Sequence, residues 1–402
     1  MDAPAASGRF TGSFTQQEAL PGAAIDAAVA VMRGGRLHRY NLAPGETGEV
    51  AQLEAEYRDW QGAGYCLALT SGGQAMQIAL RACGVKPGDT VLTNGFTLAP
   101  VPGAIEAVGA RAALVEIDAT LRLDLDDLER RIADTGARFL LVSHMRGHLC
   151  DMDRLTAICR AAGVSLVEDC AHTMGARWNG TRSGNFGIAA CFSTQTYKHM
   201  NSGEGGFLTT GDAEIAARAT ILSGSYMLYD RHGAGPSAEH FARARYEMPN
   251  CSARMDALRA AILRPQLREL DRNVERWNRR YRIVEAGLKG DARLTTIGRP
   301  RAESPVGSSI QFRAPGFSQA QCRALVDAAG ARGVELKWFG AAEPAGFTSS
   351  HQSWRYLKPQ RLPATDAMLA TLFDMRLPLT FSEDDCALIA RLIREAADEV
   401  GR

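Results

Sequence analysis

The sequence predicts an α/β fold, in which a mostly parallel seven-stranded sheet is flanked by helices and followed by a smaller α+β C-terminal domain. Three observations support this prediction. The chain has 402 residues, which is more than a single hydrophobic core usually serves. Short apolar runs alternate with helical patterns over the first half of the chain. A long helical pattern, from Ala253 to about Leu288, then leads into a segment of different character.

The strands are predicted where short β-type runs stand between turn signals. They lie at Cys66–Thr70, Thr90–Thr93, Ala112–Ile117, Phe139–Ser143, Val164–Val167, Ala189–Phe192 and Gly206–Thr209. Helical patterns precede or separate most of them, at Ile25–Arg33, Glu46–Trp60, Gln74–Cys83, Val101–Val108, Leu125–Asp134 and Met152–Ala162. This alternation is typical of a parallel sheet covered on both faces. In such a sheet, ligands bind beyond the carboxyl ends of the strands.

The remaining segments define the predicted domain organisation. We expect an N-terminal segment at residues 1–23, a large domain at residues 24–252, and the bridging helix with the small domain at residues 253–402. The predicted elements of the small domain are the strands Ser308–Phe312 and Val334–Trp338 and the helices Gln319–Ala329 and Asp384–Val400.

The composition is that of an ordinary globular protein and argues against several classes of function. The formal net charge is +1 and the basic residues are dispersed, so neither a nucleic acid nor a membrane is expected as a partner. The eight histidines do not stand at ligand spacing from cysteines or carboxylates, so no metal site is predicted. The nine cysteines contain no C-x-x-C pair, and the first residues do not resemble a secretory signal. We therefore expect a reduced, cytoplasmic protein.

The first group of candidate residues is T-S-G-G-Q-A-M at Thr70–Met76, between a predicted strand and a predicted helix. Glycines let backbone N–H groups turn toward a ligand, and the start of a helix favours an anion. The backbone of Gly73 and Gln74 is therefore a candidate phosphate site. An ordinary strand–helix turn explains the same pattern equally well.

A second group follows the apolar strand at Val164–Val167. Asp169 is carried to the edge of the sheet, where a poorly hydrated carboxylate needs a cationic or N–H partner. His172 stands three residues later. The alternative is that Asp169 caps a turn and that His172 is a hydrogen-bonded core residue.

The third and fourth groups follow two further strands. Ser193 ends one strand, and Lys198 stands five residues later, before a glycine-rich turn. A hydroxyl and a lysine at one strand end could hold a phosphate and an aldehyde of the same ligand. Phe96, in N-G-F-T at another strand end, offers an aromatic face. Read alone, the simpler interpretation is that Lys198 is an exposed cation and that Phe96 is a core residue.

Together these residues match the needs of one ligand. It requires a phosphate site (Gly73, Gln74 and Ser193), an aromatic face (Phe96), a buried carboxylate (Asp169) and a lysine amine (Lys198). A carboxylate of this kind would keep a pyridine nitrogen protonated, while the lysine would bond an aldehyde. Those are the requirements of pyridoxal phosphate, whose protonated ring accepts electrons.

The same segments resemble a known family. E-D-C-A-H-T-M-G-A with F-S-T-Q-T-Y-K-H-M-N-S-G-E-G-G, within Glu168–Gly206, resembles the E-D-x-A-H-x-x-G-A and F-S-x-x-x-x-K-x-x-x-x-G-E-G-G signature of the DegT/DnrJ/EryC1/StrS aminotransferases. These are pyridoxal-phosphate enzymes of fold type I. T-S-G-G-Q-A-M-Q-I-A-L resembles the family's S-G-T-x-A-L turn, H-M-R-G-H its H-x-x-G, and N-C-S-A-R-M its G-x-N-x-R-M.

The resemblance implies roles for individual residues. Lys198 would be the Schiff-base lysine and proton shuttle, Asp169 the partner of the pyridinium nitrogen, and His172 a neighbour of the cofactor ring. Ser193, with the backbone of Gly73 and Gln74, would hold the phosphate, and Phe96 would stack on the ring. Asn250 matches an asparagine that reaches the phosphate of the neighbouring subunit, which implies a homodimer.

The activity implied is transfer of an amino group from an amino acid, glutamate or glutamine, to a keto-sugar, a cyclitol or another natural-product ketone or aldehyde. Two alternatives remain within the same scaffold: a sugar dehydratase, which in this family replaces the lysine with histidine, and a non-catalytic regulator or binding protein. The sequence departs from the family in two places. S-G-G replaces S-G-T, and Lys337–Trp354 lacks the H-Y-x-P-L-H-type segment of sugar-nucleotide members, which argues against a nucleotide-sugar substrate.

Overall fold

In a computed structural model, the structure describes residues 8–347 and 349–402, so residues 1–7 of the predicted N-terminal segment lie outside the described part. The helices are α1 (Gly22–Gly34), α2 (Glu49–Gln61), α3 (Gly72–Ala82), α4 (Pro100–Ala107), α5 (Leu125–Thr135), α6 (Met152–Ala162), α7 (Ala213–Ser223), α8 (Ala238–Ala244), α9 (Ala257–Leu288), α10 (Gln319–Ala331), α11 (Pro363–Leu369) and α12 (Glu383–Val400). None of the helices in these ranges is both long and apolar enough to cross a membrane.

The strands fall into three sheets. They are β1 (Tyr65–Leu69), β2 (Thr90–Asn94), β3 (Arg111–Val115), β4 (Phe139–Ser143), β5 (Ser165–Asp169), β6 (Arg177–Trp178), β7 (Thr181–Arg182), β8 (Ala189–Ser193), β9 (Gly206–Thr210), β10 (Thr295–Thr296), β11 (Glu303–Ser304), β12 (Ser309–Arg313), β13 (Lys337–Trp338) and β14 (Leu372–Arg376). The sheet orders are β1-β9-β8-β5-β4-β2-β3, β10-β12-β14-β13 and β11-β6-β7.

The seven-stranded sheet confirms the predicted fold class. Its five neighbouring strands β8, β5, β4, β2 and β3 run parallel, while β9 pairs antiparallel with both β8 and β1. Strands β4, β8 and β9 are buried along their whole length, because helices cover both faces of the sheet. The carboxyl ends of the parallel strands therefore meet at one edge, where Asp169 ends β5 and Ser193 ends β8.

The four-stranded sheet forms the smaller α+β unit of the predicted fold. Its core joins β12 and β14 to α9, α10 and α12, and it also takes in Phe10 and Phe14 from the N-terminal segment, which pack edge-to-face on Phe381. Strand β13 is shorter than the predicted Val334–Trp338 strand. Strand β14, at the centre of this sheet, was not predicted from the sequence. The boundary between residues 252 and 253 stays a prediction.

Candidate active site

Lys198 lies on the loop after β8, in the wall of a cavity of about 380 Å³ beyond the carboxyl ends of the parallel strands. Its Nζ lies 2.9 Å from Nε2 of His172. Asp169, His172 and Ser193 line the same cavity. The fold thus brings together four of the residues that the sequence predicted.

The amine of Lys198 is held in surroundings that favour its neutral form. Burial, the largest effect, and the positive charges of Arg146 and Arg376 lower its pKa to about 8, against the opposing charge of Asp169. Burial also lowers the pKa of His172 well below its ordinary value, and the charge of Lys198 adds to this effect. Both groups are therefore able to act as neutral bases near pH 8.

The carboxylate of Asp169 is fixed by hydrogen bonds from two sides. Ser143, at the end of the neighbouring strand β4, donates its Oγ–H to Oδ2 at 2.8 Å, and the backbone N–H of Ala171 donates to Oδ1 at 3.1 Å. Thr97 donates in turn to the oxygen of Ser143 at 2.7 Å. This chain of donors satisfies the buried carboxylate and orients it at the cavity.

The opposite end of the cavity is the N-terminus of α3. Ser71 caps this helix by accepting a hydrogen bond from the backbone N–H of Gln74 at 3.1 Å, and Ser71, Gly72, Gly73 and Ser193 line the cavity. The first N–H groups of a helix have no partner within it, and they attract an anion. The sequence missed Ser71 and Gly72. The backbone N–H of Gln74, which was predicted to bind phosphate, instead donates a hydrogen bond to Oγ of Ser71.

Gly72 is required for the close approach of α3 to β8. A Cβ atom at this position would stand 2.9 Å from Cβ of Ser193 and 3.3 Å from the backbone oxygen of Phe192. A Cβ at Gly73 would meet only Oγ of Ser71, at 3.8 Å. Because Gly72 has no side chain, the N-terminus of α3 can lie next to the hydroxyl of Ser193.

The residues present fit pyridoxal phosphate, which the sequence resemblance implies. A helix N-terminus and two serine hydroxyls suit a phosphate, a fixed carboxylate at the other end suits a protonated ring nitrogen, and an amine with a lowered pKa suits an aldehyde. A cavity of about 380 Å³ falls in the size range of cofactor sites. These side chains could hold the cofactor as they are, without any substitution.

Two predicted positions lie elsewhere. Phe96 is fully buried and packs edge-to-face on Phe339, with ring centroids 4.9 Å apart. It has no exposed face on which a ligand could stack, so that assignment is corrected. Thr97 and Leu98, the next two residues, reach the cavity instead. The sequence argument chose the aromatic residue, whereas the turn after β2 presents the residues that follow it.

Asn250 lies on an exposed loop, where its Oδ1 accepts a hydrogen bond from the backbone N–H of Ser252 at 2.9 Å. It does not line the cavity around Lys198 of its own chain. Its assignment to the site of a neighbouring subunit therefore stays a prediction.

One buried cluster has the composition of a metal site. One ligand atom from each of His144, Glu168 and Cys170 lies within 4.8 Å of the others. Both oxygens of Glu168, however, accept backbone hydrogen bonds at 2.8–3.0 Å, from Gly184 to one oxygen and from Phe186 and Gly187 to the other. This carboxylate organises the turn before β8, and we assign the cluster a structural role.

A second cavity, of about 490 Å³, opens from Lys198 and His172 toward the four-stranded sheet. Its wall includes Arg146, Tyr197 and Arg376. Arg146 adopts a left-handed backbone conformation with φ of 55°. It forms an ion pair with Asp374, whose Oδ2 lies 2.7 Å from its guanidinium. The sequence did not single out any of these residues, because they come together only in the folded chain.

Comparisons with known proteins agree with this geometry. The model of the DegT/DnrJ/EryC1/StrS aminotransferase family matches residues 25–394. The 3-amino-5-hydroxybenzoate synthase of Amycolatopsis mediterranei (strain S699) is 32% identical over 284 residues, which cover 69% of this chain and 70% of that protein. An L-glutamine:2-deoxy-scyllo-inosose aminotransferase of Micromonospora echinospora is 32% identical over 269 residues, which cover 67% of this chain and 63% of that protein.

Solved structures confirm the predicted fold type I class. The crystal structure of a 3-amino-5-hydroxybenzoic acid synthase superposes with a TM-score of 0.80 at 27% identity, covering 96% of this chain and 99% of that one. The resemblance that the sequence motifs indicated therefore extends over the whole fold. The protein is an aminotransferase, and the chain belongs to the DegT/DnrJ/EryC1/StrS aminotransferase family.

Proposed function

We propose that this enzyme uses pyridoxal phosphate to move an amino group from glutamate or glutamine to a cyclic ketone of the keto-sugar or cyclitol type. One observation supports the proposal above all. The buried amine of Lys198, with its pKa lowered to about 8, shares a cavity with the carboxylate of Asp169 and the N-terminus of α3. The relatives named as a 3-amino-5-hydroxybenzoate synthase and as a 2-deoxy-scyllo-inosose aminotransferase support a ring-shaped acceptor.

Each side chain of the site has a different role in the reaction. When bound, pyridoxal phosphate supplies an aldehyde that exchanges amines and a ring that takes up electrons. Asp169 favours the protonated ring nitrogen through its negative charge. Ser71, Ser193 and the N-terminus of α3 hold the phosphate and fix the register of the ring. Nζ of Lys198 takes a proton from the α-carbon of the donor and returns it during amino transfer.

The atoms and electrons balance between the two substrates. The α-carbon of the donor loses its amino group, its hydrogen and two electrons and takes an oxygen from water, so it becomes a carbonyl carbon. The carbonyl carbon of the acceptor releases its oxygen as water and gains an amino group, a hydrogen and two electrons, so it becomes an amine carbon. Since donor and acceptor occupy the cavity in turn, the kinetics should be ping-pong.

We further propose a cytoplasmic homodimer in which Asn250 contacts the partner's cofactor phosphate. All nine cysteines are free, and eight of them are buried or half-buried, which suits a reducing compartment. The exposure of Asn250 leaves it available to a second subunit.

The test begins with the colour of the protein loaded with pyridoxal phosphate. Borohydride should bleach the visible absorbance and leave a mass label on the peptide that contains Lys198. In a separate sample without borohydride, glutamate or glutamine should abolish the visible absorbance, and later addition of a cyclic ketone should restore it. Lys198→Ala should remove the label and reduce turnover at least about 10³-fold, while Lys358→Ala, at an exposed lysine, should change neither.

Other outcomes would favour the alternatives. Release of water from a sugar without consumption of an amino donor would indicate a dehydratase. A protein that takes up no cofactor and gives no label would indicate a binding protein, and would overturn the proposal.

A further inference from the structure

The cavity of about 490 Å³ beside Lys198 carries an excess of positive charge. Two guanidinium groups, from Arg146 and Arg376, stand in its wall. Within the described ranges, no aspartate or glutamate lines this cavity. A desolvated cation without a counter-ion is unfavourable, so the pairing of each arginine decides what the cavity will bind.

Arg146 is already paired. Its guanidinium lies 2.7 Å from Oδ2 of Asp374, and Asp374 also accepts a hydrogen bond from Gln311 at 2.8 Å. The side chains of Arg146 and Asp374 are 7% and 4% exposed, so this ion pair is buried, although Nε of Arg146 has no hydrogen-bond partner among the described residues. The charge of Arg146 is therefore already shared with a carboxylate of the protein.

Arg376 is not paired in this way. It ends β14, and its guanidinium carbon lies 3.9 Å from the centre of the ring of Tyr197. Over residues 8–347 and 349–402, it makes neither an ion pair nor a side-chain hydrogen bond. Stacking on a ring uses the face of the guanidinium and leaves the N–H donors at its edge available, in a fork that matches a carboxylate.

Lys337 lies near the same two arginines. This lysine stands in a neighbouring cavity that shares Arg146, Phe347 and Arg376 with the first. It donates hydrogen bonds to the backbone oxygens of Ala345 and Phe347 and lies 3.3 Å from the ring centre of Phe347. Burial and the charges of Arg146 and Arg376 lower its pKa to about 8. The lining of this neighbouring cavity also includes the carboxylates of Asp327, Glu335, Glu343 and Asp374, so the unbalanced positive charge lies on the side of Lys198.

Resting on the proposed function, we propose that the ketone acceptor carries a carboxylate and that Arg376 binds it. Both substrates of a ping-pong enzyme must place their reacting carbon at Lys198, so they enter the same cavity. An acceptor without an anion would enclose Arg376 with no partner, whereas a carboxylate would satisfy its two-pronged donor edge. Among cyclic ketones of the keto-sugar or cyclitol type, the preferred acceptors are therefore those that carry a carboxylate.

The test measures binding to the enzyme loaded with pyridoxamine phosphate, the form that meets the acceptor, so the amino donor plays no part. Cyclohexanecarboxylate and cyclohexanecarboxamide have nearly the same shape and differ in charge. Calorimetry should show the carboxylate binding the unsubstituted enzyme about 10- to 100-fold more tightly, as expected for a charge-assisted hydrogen bond. Arg376→Gln should reduce that preference to near unity, and Arg376→Lys should restore part of it.

Arg323→Gln is the matched control. Arg323 also stands over an aromatic ring, 5.8 Å from the centre of Trp338, but it lines only the neighbouring cavity. This variant should keep the full preference for the carboxylate. Thermal unfolding of all three variants checks that each is folded.

Three results would overturn the inference. The first is equal binding of the two probes, or binding of neither, to the unsubstituted enzyme. The second is an unchanged preference in Arg376→Gln, and the third is tighter binding of uridine diphosphate, which would indicate a nucleotide-sugar acceptor. Each is distinguishable from failure of the proposed function, because loss of visible absorbance on addition of glutamate or glutamine tests amino transfer separately. A preference for keto acids over their amides as acceptors would extend the result to turnover.

Discussion

Lys198 and His172 face one another across 2.9 Å, with Nζ of the lysine against Nε2 of the imidazole. The other ring nitrogen, Nδ1, accepts a hydrogen bond from the backbone N–H of Arg146 at 3.3 Å. A neutral imidazole that accepts at Nδ1 carries its proton on Nε2 and donates it to Lys198. An amine that accepts a hydrogen bond is neutral, and the lowered pKa makes that form accessible near pH 8.

The first prediction concerns the pH at which this amine reacts. In cofactor-free protein, acylation of Lys198 should reach half its limiting rate near pH 8, following its pKa of about 8, whereas an ordinary lysine has a pKa of about 10.4. Mass spectrometry of the labelled peptide measures the rate. His172→Phe removes a donor to the neutral amine, so it should move the midpoint to higher pH. A midpoint above pH 10 in the unsubstituted protein would contradict the assignment.

The second prediction compares two neighbouring glycines. Gly72→Ala should lower the free energy of unfolding by about 1–3 kcal/mol and weaken cofactor binding, because its Cβ would meet Cβ of Ser193 at 2.9 Å. Gly73→Ala should change stability by less than about 0.5 kcal/mol, since its nearest contact is at 3.8 Å. Chemical denaturation and cofactor titration measure the two effects. Equal losses in both variants would show that the approach of α3 to β8 is not limited by Gly72.

The third prediction tests the structural role of Glu168. Glu168→Gln replaces one acceptor oxygen with a donor and leaves at least one of the N–H groups of Gly184, Phe186 and Gly187 without its partner. Each orphaned donor should cost about 1–3 kcal/mol of folding free energy. Glu129→Gln, at an exposed glutamate, should cost less than about 0.5 kcal/mol. Zinc that stabilised the unsubstituted protein but not Glu168→Gln would instead indicate a metal site.

The fourth prediction concerns acid sensitivity. Burial, and the charge of Lys198 to a smaller extent, lower the pKa of His199 to about 3, while an unfolded histidine titrates near about 6.5. Between these values the unfolded chain binds a proton that the folded chain excludes, so stability falls as the pH is lowered through this window.

His199→Gln should reduce the slope of stability against pH by up to about 1.36 kcal/mol per pH unit. Urea denaturation at pH 7, 6 and 5 measures that slope. Part of it should persist, because His148 and His172 also have lowered pKa values. Parallel pH profiles for the two proteins would show that His199 becomes protonated without unfolding.

The strands of the large sheet were predictable because each consists of a short run of apolar residues between turn signals. Phe139–Ser143 is an example, with matching predicted and observed bounds. The site residues Asp169, Ser193 and Lys198 followed from those strands, because the carboxyl ends of parallel strands meet at one edge. Local sequence was sufficient to predict a site residue when that residue stands at, or just after, the end of a strand.

Strand β14 shows why the rest was not predictable. Its sequence, L-F-D-M-R, places Asp374 in the middle of a buried strand, which local patterning disfavours. The carboxylate is tolerated because Arg146, from a distant part of the chain, lies 2.7 Å away. Since that strand was missed, Arg376 at its end was missed as well. Leu98 was missed for a similar reason. The conformation of the turn after β2 decides which residue reaches the cavity, and it places Leu98 there instead of Phe96.

The pairing of β1 with β9 has a consequence for how the enzyme is made. Leu69, just before Ser71, pairs with Gly206, on the order of a hundred residues later in the chain, and Gly206 also pairs with Ser193. Closing so long a loop is slow and entropically unfavourable. During synthesis on the ribosome, the phosphate end of the site therefore cannot form until β9 has left the exit tunnel. The nascent chain should become able to bind the cofactor only after that point.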